Sequence, residues 1–286
     1  NNLPGTDGLE VALGGGRRSF LPRIDGIDPE TQGPGERLDG RNLTEEWLSN
    51  YPNSNYVWNR DQFLDIDPAS TQHLLGLFEP SHMQYSLDRE LDSAGEPTLS
   101  EMTAKSIEIL SNNEKGFYLT VEAGRIDHAH HATNPRRALL DTIELAEAVQ
   151  RAAEMVNLEE TLIIVTADHS HVFTIAGYPV RGNPILGKVV GLDSQGEAAD
   201  GFSLALDGMP YTTLGYNNGP GYHFIEESKS ADDVYGLPVH AGGRVDLTDV
   251  DTEAAGFHPE STVTLSSETH GGEDVAIYAI GAGSDL

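Results

Sequence analysis

Two β-rich runs set the reading of this chain: Phe117-Tyr118-Leu119-Thr120-Val121 and Thr161-Leu162-Ile163-Ile164-Val165-Thr166. Each has the length and residue character of a buried strand, and the sequence after Pro135 carries a helical period between them. Leu139, Ile143, Ala146, Val149, Ala153 and Val156 trace an apolar stripe, with Asp141, Glu144, Glu147 and Arg151 off it. Strand, long helix, strand is a βαβ unit. It predicts an α/β fold with a doubly wound, mostly parallel sheet flanked by helices on both faces.

Working outward, residues 9–13 read as a strand that turns at Gly14-Gly15-Gly16, and residues 24–40, rich in Gly, Pro and Asp, as an irregular surface loop. Thr98 and Glu101 form a capping box for a helix with Leu99, Met102, Ser106 and Ile109 on one face. Residues 274–280 supply a final strand. From about 182 to 261 the periodicity weakens and Gly, Pro, Asp and Ser accumulate, as in an insertion that decorates a sheet. No internal repeat and no low-complexity tract is visible.

The 286 residues suffice for one large domain or a tight pair with a sizeable core. Forty-six Asp and Glu face 17 Lys and Arg, a net charge of −29. Such a field repels phosphate backbones and excludes nucleic-acid binding through a basic surface. It suits a halophilic, salt-adapted protein or one that holds cations, and the spread of carboxylates along the whole chain favours salt adaptation. Without cysteine there is no disulfide and no thiolate metal site. No apolar run reaches the length of a membrane span. The opening Asn1-Asn2-Leu3-Pro4-Gly5 is no signal peptide, and a mature secreted or periplasmic protein would look the same.

Five of the 11 histidines fall between His128 and His171, in the company of carboxylates. Glu122 follows the first strand of the βαβ unit. Asp127 and His131 are one helical turn apart, so both side chains reach one cation. Asp168 and His169 follow the second strand, and ligands of open α/β sheets bind beyond the carboxyl ends of the strands. The parallel geometry therefore predicts these five residues at one rim, with His270 closing the site from the far side. Imidazoles with carboxylates suit Zn²⁺, and an oxygen-only position suits Mg²⁺. A single His or Asp after a strand is most often a cap; the combination on two consecutive strand ends is what singles out a metal site.

The wording of these segments goes further. Val121 to His131, Thr166 to Phe173 and Glu268 to Val275 resemble, in order, the metal-binding motifs of alkaline phosphatases, closest to the animal-like branch. Leu13 to Arg17, Tyr56 to Arg60, Gly76 to Pro80 and Asn218 to Tyr222 agree, so the likeness covers nearly the whole chain.

The resemblance implies that Asp127, His131 and His270 hold a first zinc, Asp168 and His169 a second, and Glu122 a magnesium. By the same pattern His128 helps organise water around the magnesium and phosphate, and His171 orients a zinc-ligand carboxylate. The implied activity is metal-dependent hydrolysis of phosphate monoesters through a phosphoserine intermediate. A calcium is implied at Glu30, the Phe78 carbonyl, Glu79 and Glu96; the alternative for these is a set of surface carboxylates in a very acidic protein. Family members are commonly homodimers, and residues 182–261 resemble the crown-like insertion at their interface.

The family's nucleophile motif, its bridging Asp and its phosphate-binding Arg belong to a segment with no counterpart here. The expectation is therefore a carboxyl-terminal portion, residues 1–286, whose partner is the amino-terminal portion of the same enzyme. Asp92-Ser93-Ala94-Gly95 matches the nucleophile motif letter for letter, but no strand delivers it to the rim and a capped helix follows. The alternatives are a non-catalytic metal-binding fragment and a sulfatase or phosphodiesterase relative; the motif wording argues against the latter.

Overall fold

The computed structural model describes residues 8–221, 223–224 and 244–285. Tyr222, residues 225–243 of the expected insertion, and the first residues of the chain lie outside that description. The chain divides into two compact units, one of Asn1–Ala123 with Ile143–Thr161 and one of Gly124–Thr142 with Leu162–Leu286.

The first unit is built on three parallel strands, β1 (Val11–Gly14), β2 (Ser54–Val57) and β3 (His73–Leu77), in the order β1-β3-β2. Central β3 is apolar at every position after His73, because successive residues point to opposite faces and both faces are covered. Leu74 and Leu75 are accordingly both buried. The connections carry helices α1 (Leu43–Asn50) and α2 (Arg60–Leu64), each capped at its amino end by an asparagine, Asn42 and Asn59. Helix α3 (Leu99–Leu110) starts at the expected box: the Thr98 side chain accepts from the Glu101 amide, and the Glu101 carboxylate from the Thr98 amide. Its Met102 and Ile109 join Val57, Phe63, Leu74 and Phe78 in the core.

The second unit opens with helix α4 (Arg125–His131) and the start of helix α5 (Pro135–Met155), whose later part belongs to the first unit. Asn134 accepts from the Arg137 amide, so an asparagine cap followed by proline starts α5. The remaining strands are β4 (Leu162–Val165), β5 (Ser170–His171), β6 (Phe173–Ile175), β7 (Leu214–Gly219), β8 (His223–Phe224), β9 (Phe257–His258), β10 (Ser261–Thr264), β11 (His270–Gly271) and β12 (Tyr278–Gly281). β7 lies between β6, antiparallel, and β10, parallel. β4 pairs antiparallel with β12, β5 with β11, and β8 with β9. Residues 177–213 run as turns joined by isolated bridges such as Lys188 to Thr212.

The α/β class, with parallel strands and helices, matches the sequence reading. Two details differ. Residues 117–121 form no strand, since a strand exists only as part of a ladder and none pairs with them among the described residues; Tyr118 is exposed. On α5, Ile143 is 53% exposed, while Ala138, Asp141, Glu144 and Ala148 are buried. Glu144 can be buried because it accepts from the Ser100 amide and lies 3.6 Å from Arg89. The buried face thus mixes alanine with satisfied carboxylates, and no hydropathy stripe reveals it.

Candidate metal centre

Three short segments of the second unit meet at the site. Helix α4 ends after two turns in a Schellman pair: the Asn134 amide donates to Ala129 O at 2.8 Å and the Thr133 amide to His130 O at 2.7 Å, with Thr133 left-handed at φ 52. That end delivers Asp127 and His131 on one face. The β5–β11 ladder sets His171 directly opposite His270. The Glu268 amide donates to His131 O at 3.0 Å and ties the β11 approach to α4.

These connections surround one atom. Asp127 Oδ1 is buried and accepts no hydrogen bond among the described residues. Nε2 of His171 lies 3.1 Å from it, those of His131 and His270 3.3 Å, and that of His169 3.8 Å. Nδ1 of His131 donates to Glu268 O at 2.6 Å, and Nδ1 of His169 to Ser170 O at 3.2 Å. A carbonyl only accepts, so each Nδ1 carries a hydrogen and each ring turns its Nε2, the atom available to a metal, inward.

A metal fits this arrangement. Asp127 Oδ1, His131 Nε2 and His270 Nε2 are mutually 3.1–3.3 Å apart. Ligands about 2.0–2.1 Å from a tetrahedral zinc stand roughly 3.3 Å from one another. An orphaned carboxylate oxygen facing imidazole lone pairs is the donor set such an ion requires.

Asp168 and His169 are neighbours, Nε2 to Oδ2 3.4 Å, but the Asp168 side chain is 89% exposed and joins no group of three potential ligands among the described residues. His169 instead groups with Asp127 and His171, and its ring stacks on His270 at 3.5 Å. His128 Nδ1 pairs with the Arg125 guanidinium at 3.0 Å. His130, not singled out from the sequence, meets the Tyr216 hydroxyl at 2.9 Å; burial, then the neighbouring His171, push its pKa down to about 3. Glu122 is exposed, in the first unit, and joins no such group.

The expected calcium ligands lie in the first unit. Glu30, Glu79 and Asp92 come together there, and Asp92 Oδ2 is buried without a hydrogen-bond partner among the described residues. Glu30 pairs with Arg17. Glu79 accepts from the Gln84 side chain at 2.9 Å and Glu96 from the Gln84 amide at 3.0 Å. Burial raises Glu79 to about 7 and Glu96 to about 8. Phe78 is buried at the end of β3. Ser93 is exposed in a loop of the same unit, and Asp92 beside it caps the Ala94 amide.

Sequence reasoning missed Asp92 as a member of the acidic group and Glu268 as the residue binding two histidines. Both stood inside quoted motifs, but nothing in residue type or spacing separates them from other surface carboxylates.

A family model described as alkaline phosphatase matches residues 3–286. The chain belongs to the alkaline phosphatase family. It is 43% identical over 279 residues to the tissue-nonspecific alkaline phosphatase isozyme of Felis catus, covering 96% of this chain and 48% of that protein. The chain thus spans about half the length of the curated alkaline phosphatases it matches. Among solved structures, Thermus thermophilus alkaline phosphatase aligns with a TM-score of 0.51 and 31% identity over 60% of this chain and 33% of that one. A magnesium-bound mutant of TAB5 alkaline phosphatase aligns over 97% of this chain and 55% of its own, with a TM-score of 0.55. At 17% identity the latter likeness concerns the fold alone.

Proposed function

We propose that this chain is the carboxyl-terminal part of a phosphomonoesterase, hydrolysing phosphate monoesters through a phosphoserine whose serine comes from an amino-terminal portion. The observation that carries the reading is the triangle of Asp127 Oδ1, His131 Nε2 and His270 Nε2, each 3.1–3.3 Å from the others. These residues would hold one zinc and Asp168 with His169 a second, while Glu122, five residues before Asp127, would hold magnesium. Bound there, the metals would supply Lewis-acid charge for phosphoryl oxygens. The chain's own part is to keep the imidazoles neutral and aimed, by placing their hydrogens on Nδ1, and to supply anionic charge through Asp127. Because ligation needs unprotonated imidazole, activity would fall in acid.

In the first unit, Glu30, the Phe78 carbonyl, Glu79 and Glu96 would hold calcium, with Asp92 as a further oxygen donor. The support is the oxygen-only group of Glu30, Glu79 and Asp92, with Glu96 tied to Glu79 through Gln84 and both of these glutamates kept above their ordinary range by burial. A homodimer would use the crown-like insertion at residues 182–261, where Leu192, Leu204 and Leu206 are exposed. Secretion or a periplasmic location accords with this reading; no described helix is long and apolar enough to cross a membrane. The −29 charge fits a halophilic protein.

The test is complementation. Refolded with the amino-terminal half of a relative and zinc, the chain should hydrolyse a simple aryl phosphate at alkaline pH. A folded, zinc-loaded pair without turnover would refute the assignment. Alone, the chain should bind zinc and turn over nothing, because the reading assigns the nucleophilic serine to the amino-terminal portion. In isolation it is then a non-catalytic metal-binding fragment.

A further inference from the structure

Glu268 is buried to 2% exposure and has all its main polar atoms committed around the metal centre. Its amide donates to His131 O at 3.0 Å, and its carbonyl accepts from His131 Nδ1 at 2.6 Å. Its Oε1 accepts from the Val172 amide at 2.8 Å, and its Oε2 from His171 Nδ1 at 2.8 Å. One residue therefore fastens α4, the end of β5 and the start of β11 to one another.

We propose that Glu268 is a positioning residue that imposes one orientation on two imidazoles at once, so that both present Nε2 to Asp127. A carbonyl can only accept hydrogen bonds, and the Glu268 side chain, held by the Val172 amide at Oε1, accepts from His171 at Oε2. Nδ1 must then bear hydrogen in both rings, and the far nitrogens fall 3.1 Å (His171) and 3.3 Å (His131) from Asp127 Oδ1. The His171 ring is also packed, against His130 at a centroid distance of 4.7 Å, so its plane is fixed from a second side. Partners that orient ligating histidines in this way set metal affinity as well as geometry. The extension to metal affinity rests on the zinc reading given above; the orientation of the rings does not.

Glutamine at 268 has the same shape but opposite polarity at one atom. With its oxygen still accepting from the Val172 amide, its NH₂ group faces His171 Nδ1 and donates to it. The ring must then carry its hydrogen on Nε2.

The experiment uses the full chain labelled with ¹⁵N-histidine, metal-free, and long-range ¹H–¹⁵N spectra. His171 should show a protonated Nδ1 in the unsubstituted chain. In Glu268→Gln, folded by circular dichroism, Nδ1 should lose its hydrogen and Nε2 gain one. Zinc affinity, measured by chelator competition, should fall about 10–100-fold. Glu273→Gln, an exposed carboxylate of the same segment, should leave both readouts unchanged. A bare Nδ1 on His171 in the unsubstituted chain overturns the proposal, and this result is decisive even if the glutamine variant does not fold. So does a folded variant with the original tautomer, or one that inverts the tautomer and binds zinc as before. If the unsubstituted chain shows the expected tautomer but binds no zinc, the orientation stands and the zinc reading falls.

Discussion

The Nε2 atoms of His131 and His270 face each other at 3.1 Å, one from the end of helix α4 and the other from strand β11. His131 has its hydrogen on Nδ1, directed at Glu268 O, so a lone pair points at the second ring. Two imidazoles held this way need a proton or a cation between them. Zinc should therefore raise the stability of the chain, by about 4 kcal/mol at a thousandfold excess over its dissociation constant. Removing one of the two rings with His270→Ala should abolish most of that gain while leaving stability in chelator nearly unchanged, because His270 is exposed. Thermal unfolding with zinc and with chelator reads both arms.

Arg17 is buried and joins three segments of the first unit: Nε donates to Asp28 at 2.9 Å, Nη1 to Leu77 O at 2.9 Å, and Nη2 to Glu30. Burial alone would raise Asp28; hydrogen bonds from Arg17 and the Thr31 amide overcome it and hold the carboxyl below its ordinary value. Arg17→Met should destabilise by about 3–5 kcal/mol, since it strands a buried carboxylate. Arg17→Lys should recover only part of this, because an ammonium cannot reproduce the fork. Because the Asp28 pKa is depressed, its share of stability is present above the ordinary value near 3.8 and is lost as the pH falls through the folded value. Urea titrations at neutral and acid pH would show the deficit of Arg17→Met shrinking in acid.

Local signals in the sequence carried over well where their physics is local. The Thr98–Glu101 box needs only four residues, and it caps α3 as read. Asp127 and His131, one turn apart, do converge at 3.3 Å. Where the outcome depends on a partner far along the chain, the reading thinned. Residues 117–121 have the composition of a strand but no ladder, and β4 found an antiparallel neighbour in β12. Glu268 looks like any acidic residue until the ladder places it between His131 and His171. The α5 stripe misled because Asp141 and Glu144 are buried on the opposite face, and hydropathy treats a satisfied carboxylate as a surface residue.

The acidic group of the first unit makes stability fall as pH rises. Burial, before any neighbouring charge, raises Glu79 to about 7 and Glu96 to about 8, from 4.5. The folded chain therefore binds more protons than the unfolded chain between about pH 4.5 and 8, and stability declines across that window. Calcium held by ionised carboxylates should reverse the trend, with little effect on the thermal midpoint at pH 5 and its largest effect at pH 8. Glu79→Gln should flatten the decline in chelator and weaken the response to calcium. An equal calcium effect at both pH values would remove the ion from this site.

Strand β4 shows water an unusual amount of hydrocarbon: Ile164 is 58% exposed, and Leu162 on the same face is exposed too. On β12, Tyr278 and Ile280, which pair with Val165 and Ile163 and so lie on the other face, are exposed as well. In the proposed enzyme the amino-terminal portion would cover this surface. Ile164→Lys should then change the stability of the isolated chain by no more than about 0.5 kcal/mol, as surface substitutions generally do. Complementation should suffer far more, because a lysine ammonium would have to be buried without a partner. The measurement is twofold: urea unfolding of the chain alone, and aryl phosphate hydrolysis after refolding with the amino-terminal half. A variant that complements as well as the parent would show that β4 stays exposed in the assembled protein, and the covering portion would have to dock elsewhere.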